Sequence, residues 1–203
     1  MGLATGLRFG PVGGAFVSAA ASAFYIPIAE HILTELGVDA RTFLDAMGQF
    51  NGASRRLELL ASHGQTNIYR DFAHAPSKVK ATIHAVRQQF PLRRLIAVLE
   101  LHTYSSLNQE FMKEYAGSME EADLAVVFYA QHALEIKKLP ALPPQAVTHG
   151  FAKEGLQVIH DRPTLEAWLE KQSYENTNLL LMSSGNYDGM DMLTFATKVL
   201  MHD

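Results

Sequence analysis

The chain has 203 residues, 48% hydrophobic and 19% charged, which is enough apolar material for one large domain, or one medium domain plus a partial one, and too much for global disorder. Its net charge of -4, with no dense Lys/Arg run, excludes the basic face that a sequence-independent grip on nucleic acid requires. It contains no Cys, which removes disulfides, thiolate metal sites and Cys nucleophiles together.

Residues 1–29 are apolar and rich in small residues, including Gly10, Gly13, Gly14 and an alanine run at 19–21. A secretory leader wants a charged start followed by a compact apolar core, whereas Arg8 is the only early charge here. Gly10-Pro11 and Pro27 bracket about 15 residues, short of the roughly 20 needed to span a bilayer. The expectation is a chain with no membrane segment, placed in the cytoplasm. From about Ala15 to Leu36 the pattern is helical, with Ile28, Ile32 and Leu36 at spacing four and Gly37 as a stop. Pro27 should start or kink a helix. Val38-Asp39-Ala40 caps a second helix carrying Phe43, Leu44 and Met47, so the two make an αα-hairpin that ends before a turn at Phe50-Asn51-Gly52.

Leu57 to Ala61 and Thr66 to Tyr69 read as strands joined at His63-Gly64. Pro76 then opens a helix to Gln89 that turns Val79, Ile83 and Val86 inward. Leu95 to Leu99 is a continuous apolar run, of the kind buried on both faces of a parallel sheet. The spacing predicts a helix over 107–119, a strand over 124–129, a Pro-rich connection, a short strand near Val147 and a strand over 156–160. A helix over 164–172, a strand over 178–182 and a closing helix over 189–200 follow. Strands alternating with helices give an α/β domain with a mostly parallel sheet covered on both faces, preceded by a helical and hairpin segment. The expected division is 1–69 for that segment and 70–203 for the α/β domain.

Polar clusters fall at the element junctions: Arg55-Arg56, Asp71 with His74, Glu100 to Ser106, and Ser183 to Gly189. In a parallel sheet the last three share the carboxyl edge, where ligands bind. Taken alone, Asp71 reads equally as a turn or capping residue, His74 as a surface histidine and Arg55-Arg56 as a solvated face. No Gly-x-x-x-x-Gly-Lys-Ser/Thr phosphate loop, no Gly-x-Gly-x-x-Gly after a strand, no Gly-x-Ser-x-Gly elbow and no His-Glu-x-x-His motif occurs. A hydrolase built on Ser105 or Ser183 with His102 therefore lacks both its elbow and an evident acid partner.

These clusters, in this order, resemble the C-terminal half of the Mur ligases, the ATP-dependent enzymes that add an amino acid or peptide to UDP-N-acetylmuramate. Gly52-Ala53-Ser54-Arg55-Arg56-Leu57-Glu58 resembles the motif that ends the family's central domain. Asp71-Phe72-Ala73-His74-Ala75-Pro76 resembles the linker that starts its C-terminal domain. Leu101-His102-Thr103-Tyr104 is similar to the Pro-His-Arg-Tyr segment of the alanine-adding subfamily. Ser183 to Gly189 is nearer the form seen in the murein-tripeptide ligase. Ala75, Thr103 and Ser106 depart from the alanine-adding pattern, which leaves alanine and the tripeptide both open as the amine.

The resemblance implies a Rossmann-like fold, with 1–69 as the tail of the central domain and 70–203 as the C-terminal domain. It implies ATP with Mg²⁺ as cofactors, the metal ligands lying mainly in N-terminal and central domains outside this chain. Arg56, Asp71 and His74 would face the nucleotide. His102, Tyr104, Ser105, Ser183, Ser184 and Asn186 would face UDP-N-acetylmuramate's partner, an amino acid or peptide. Without a phosphate loop the chain is expected to be inactive alone. The alternative is a non-catalytic nucleotide-binding or interaction module on the same scaffold.

Overall fold

The computed structural model describes residues 28–29, 31–49 and 56–201. It divides into two compact units, one ending at Ser54 and the other running from Arg55 to Asp203. The expected seam at 69/70 therefore falls inside a strand rather than between units. Most of the helix expected from Ala15, with Pro27, lies outside the described residues, as do the turn at Phe50-Asn51-Gly52 and Arg55.

In the first unit residues 31–35 are helical, and Gly37 ends them with φ +83°. Helix α1 (Ala40–Gln49) follows. Asp39 caps its start, accepting from the amides of Arg41 and Thr42, both at 3.0 Å, and from the Thr42 hydroxyl at 2.6 Å. Two helical stretches joined at Gly37-Val38-Asp39 thus stand where the sequence places them.

The second unit is built on one six-stranded sheet. Its strands are β1 (Glu58–His63), β2 (Thr66–Asp71), β3 (Arg94–Glu100), β4 (Leu124–Phe128), β5 (Gln157–Ile159) and β6 (Thr177–Met182), in spatial order β1-β2-β6-β3-β4-β5. Only β1 runs antiparallel, as the partner of β2 in a hairpin. Glu58 and Arg70 face each other across that hairpin in a bidentate ion pair at 2.8 and 2.9 Å. The other pairs (β2·β6, β6·β3, β3·β4, β4·β5) are parallel, so five strands end on one edge. The hairpin belongs to the sheet and is not an appendage to it.

Helices cover both faces, and strand alternation sorts the side chains between them. Leu95, Ala97 and Leu99 of β3 join Val79, Ile83 and Val86 of helix α2 (Pro76–Gln89), while Ile96 and Val98 join the opposite core. That second core contains Leu165 and Leu169 of α5 (Arg162–Glu170) and Phe195 and Val199 of α6 (Met192–Leu200). Each fully buried aliphatic contributes roughly 1.5–3 kcal/mol, which makes the continuous run 95–99 the centre of the unit.

Several local expectations are corrected. The helix expected over 107–119 is a 3-10 helix, Gln109–Tyr115, capped by Asn108. Residues 131–136, for which the apolar pattern gives no element, form α3 (Gln131–Ile136). The strand expected near Val147 is instead helix α4 (Pro144–Phe151). Pro144 sits in its first turn, where no amide is needed, and Val147, Gly150 and Phe151 share its buried face. At Gly150 the backbone of α4 meets the 3-10 helix so closely that an added Cβ would lie 2.4 Å from that of Met112. Among the described residues no helix is long and apolar enough to cross a membrane.

Candidate functional site

The carboxyl edge of the parallel strands gathers the polar clusters. At the end of β2, Asp71 is buried, and its carboxylate binds its own chain on both sides. One oxygen accepts from the Leu57 amide and the other from the Ala73 amide, each at 2.7 Å. The first bond holds Leu57 in the left-handed region, φ +43°, and so fixes how the chain turns from Arg56 into β1. Asp71 is thus the turn-holding residue that its position allowed.

The Arg56 guanidinium lies over the Phe72 ring at 5.6 Å, and His74 meets the same ring edge-on at 5.1 Å. His74 is half-buried, with Nδ1 2.9 Å from the Phe72 carbonyl oxygen. A cation, a partly exposed aromatic face and an imidazole therefore stand together beside β2, a set suited to a planar base and a phosphate. Phe72 completes it; the sequence contains Phe72 within the motif but does not signal its role.

The second grouping lies between β3 and β6, which pair in parallel. Glu100, the last residue of β3, is 2% exposed and accepts from the Ser183 hydroxyl and, at 2.9 Å, from the Tyr187 amide. Its other oxygen lies 3.6 Å from Nδ1 of His102, whose side chain is 44% exposed. The Ser183 hydroxyl also accepts from the Gly185 amide at 2.6 Å. The acid thus sits between serine and histidine, so the serine proton points at a carboxylate and no Ser–His relay exists. That disposes of the hydrolase reading at Ser183. Ser105 is exposed and hydrogen-bonds the Thr103 hydroxyl at 3.2 Å.

Tyr187, Asp188 and Gly189 all have left-handed φ values, +51°, +59° and +80°, and fold the segment after β6 back over the edge. The fully buried Tyr187 hydroxyl reaches the carbonyl oxygens of Val98 at 2.9 Å and Met182 at 2.8 Å. Burial pushes this phenol well above its usual pKa, and the negative Glu100 nearby adds to the effect. Two contacts tie α3 to the same edge. His132 lies 3.2 Å from Asp188, and the Lys137 ammonium lies 4.8 Å from the exposed Tyr104 ring. Ser184 Oγ is buried with no hydrogen-bond partner among the described residues. Asn186 is exposed and accepts from the Gly189 amide at 3.1 Å.

The structure therefore brings His102 together with Ser183 through Glu100, and Arg56 together with His74 through Phe72. The two groupings adjoin where the Ser183 amide donates to the Asp71 carbonyl at 2.9 Å. Glu100, Tyr187 and Asp188 lie within the clusters read from the sequence but carry no assigned role there, and His132 is not singled out at all. The signal for Glu100 was an acid closing the apolar run 95–99. Among the described residues no group of three His, Asp or Glu side chains is arranged to hold a metal ion.

Comparison with known proteins gives one answer. Residues 55–185 match the model of the Mur ligase, glutamate ligase domain, family. The chain is similar to the UDP-N-acetylmuramate--L-alanine ligase of Desulfitobacterium hafniense, 25% identical over 154 residues, covering 75% of this chain and 34% of that protein. It is also similar to the enzyme of the same name from Mycolicibacterium gilvum, 34% identical over 122 residues, covering 59% and 25%. Among solved structures it is similar to a murein peptide ligase from Psychrobacter arcticus, with TM-score 0.61, 18% identity and coverage of 93% of this chain and 38% of that one. A MurF ligase from Thermotoga maritima in complex with ADP shares the fold at TM-score 0.56, 15% identity, over 90% and 37%. The matches span about a third or less of the length of these curated relatives. With well over half of its residues matched by that model, the chain belongs to the Mur ligase, glutamate ligase domain, family.

Proposed function

We propose that this chain serves as the C-terminal part of an ATP-dependent ligase that joins UDP-N-acetylmuramate to an amino acid or peptide in peptidoglycan synthesis or recycling. The observation that carries the reading is the adjacency of the two polar groupings across the β2–β6 seam, one suited to a nucleotide and the other to a small polar substrate. In this reading Arg56 reaches phosphate oxygens and His74 and Phe72 flank the base. Asp71, already bonded to two backbone amides, meets the ribose only through its remaining lone pairs and chiefly holds the strand end. His102, Tyr104, Ser105, Ser183, Ser184 and Asn186 line the amine side. ATP supplies the activating phosphoryl group. Residues of this chain orient the reactants and exclude water, and the Mg²⁺ ligands come from elsewhere.

A chimera tests this. The last third of a UDP-N-acetylmuramate--L-alanine ligase is replaced by this chain, and ADP release is followed with UDP-N-acetylmuramate and either L-alanine or the murein tripeptide. The expected result is amine-dependent ADP release that falls at least about tenfold in Arg56→Ala, the loss of one charge-assisted contact. A folded chimera with no amine-dependent turnover overturns the reading. Calorimetry with ADP and Mg²⁺ on the chain alone separates the second reading, because tight binding that vanishes in Arg56→Ala supports a stand-alone nucleotide module.

A further inference from the structure

Glu100 is a charged side chain at 2% exposure, and among the described residues no Lys or Arg pairs with it. Burying a carboxylate this way is costly, and a neutral acceptor could have replaced it if only the loop after β6 required support. The two oxygens divide their work. Oε2 alone takes both loop bonds, from the Ser183 hydroxyl and the Tyr187 amide, while Oε1 faces Nδ1 of His102 at 3.6 Å. Gly185 seals the arrangement from above. A methyl group there would lie 2.9 Å from Glu100 Oε2, 2.9 Å from His102 Cγ and 3.0 Å from His102 Nδ1. The imidazole is thus caught between a carboxylate and the backbone of residue 185, with Nε2 as the ring nitrogen turned away from the acid.

We propose that Glu100 is a positioning residue for His102. Its negative charge orients the ring so that Nε2 is presented to the amine substrate, and its second oxygen locks the Ser183–Tyr187 loop in register with that ring. The inference rests on the reading above that the His102 and Ser183 loops meet the incoming amine, but the ring geometry is testable without it.

Glu100→Gln isolates the charge, because the amide oxygen can still accept the two loop bonds while an NH₂ now faces Nδ1. In long-range ¹H–¹⁵N spectra of the folded chain, the His102 ring nitrogens are expected to move in Glu100→Gln while the Gly185 and Tyr187 amides stay close to wild type. Ser183→Ala should do the reverse. Glu100→Asp, which keeps the charge but withdraws it from the ring, serves the same comparison. Unchanged His102 ring signals in both Glu100 variants overturn the proposal. In the chimera, Glu100→Gln should raise KM for the amine about tenfold and leave KM for ATP unchanged. An active wild-type chimera whose amine KM is indifferent to Glu100→Gln also overturns it. An inactive wild-type chimera counts against the ligase reading alone, and the ring-nitrogen comparison then decides the role of Glu100.

Discussion

Replacing Tyr187 with Phe removes one oxygen from a fully buried site and leaves the ring contacts in place, including the Phe128 ring 5.8 Å away. The left-handed φ of +51° costs the same in both variants, since each carries a Cβ. What changes is the bonding of the Val98 and Met182 carbonyls, both inside the sheet and both within 2.9 Å of the hydroxyl. Leaving buried acceptors short of a partner costs about 1–3 kcal/mol. At roughly 2–4 °C per kcal/mol for a chain of this size, Tm should fall by about 2–12 °C.

The substitution also alters the alkaline limb. Folding raises the phenol pKa above its unfolded value of about 10, so above that pH the unfolded state binds fewer protons and stability falls as pH rises. Tyr187→Phe lacks this titration, and its deficit against wild type should therefore shrink above about pH 10. Thermal melts followed by circular dichroism at about pH 8 and again at about pH 10.5 measure both effects. An unchanged Tm at the lower pH, or a deficit constant across the range, would refute the reasoning.

Gly150→Ala sets helix propensity, worth about 1 kcal/mol in favour of Ala, against a Cβ 2.4 Å from Met112 Cβ and 2.8 Å from its backbone carbon. Because backbone cannot yield as a side-chain tip does, the overpacking cost of about 1–3 kcal/mol is expected to win. A thermal melt at or above wild type would contradict this. Ala152→Gly at the C-terminus of α4, where φ is +50°, relieves a left-handed alanine and should stabilise by up to about 1 kcal/mol. A lower Tm would count against that account.

The sequence by itself determined the class of this protein and the positions of its polar clusters. The run 95–99 read as a strand buried on both faces, Pro76 read as the start of a helix, and the clusters fell at element junctions. Those are local consequences of side-chain periodicity and backbone chemistry. The 144–151 segment was misread because the short apolar pair Ala146-Val147 after a Pro-rich stretch fits a short strand as well as one helical turn, and only packing against Met112 distinguishes them. Strand order was a matter for the tertiary structure. Periodicity states that a strand is buried but not which strand it pairs with, and β6, last in the chain, inserts between β2 and β3. That insertion sets Asp71 and Glu100 on either side of Ser183, and it turns the acid that opens the 100–106 cluster into the group on which His102 and the closing loop converge.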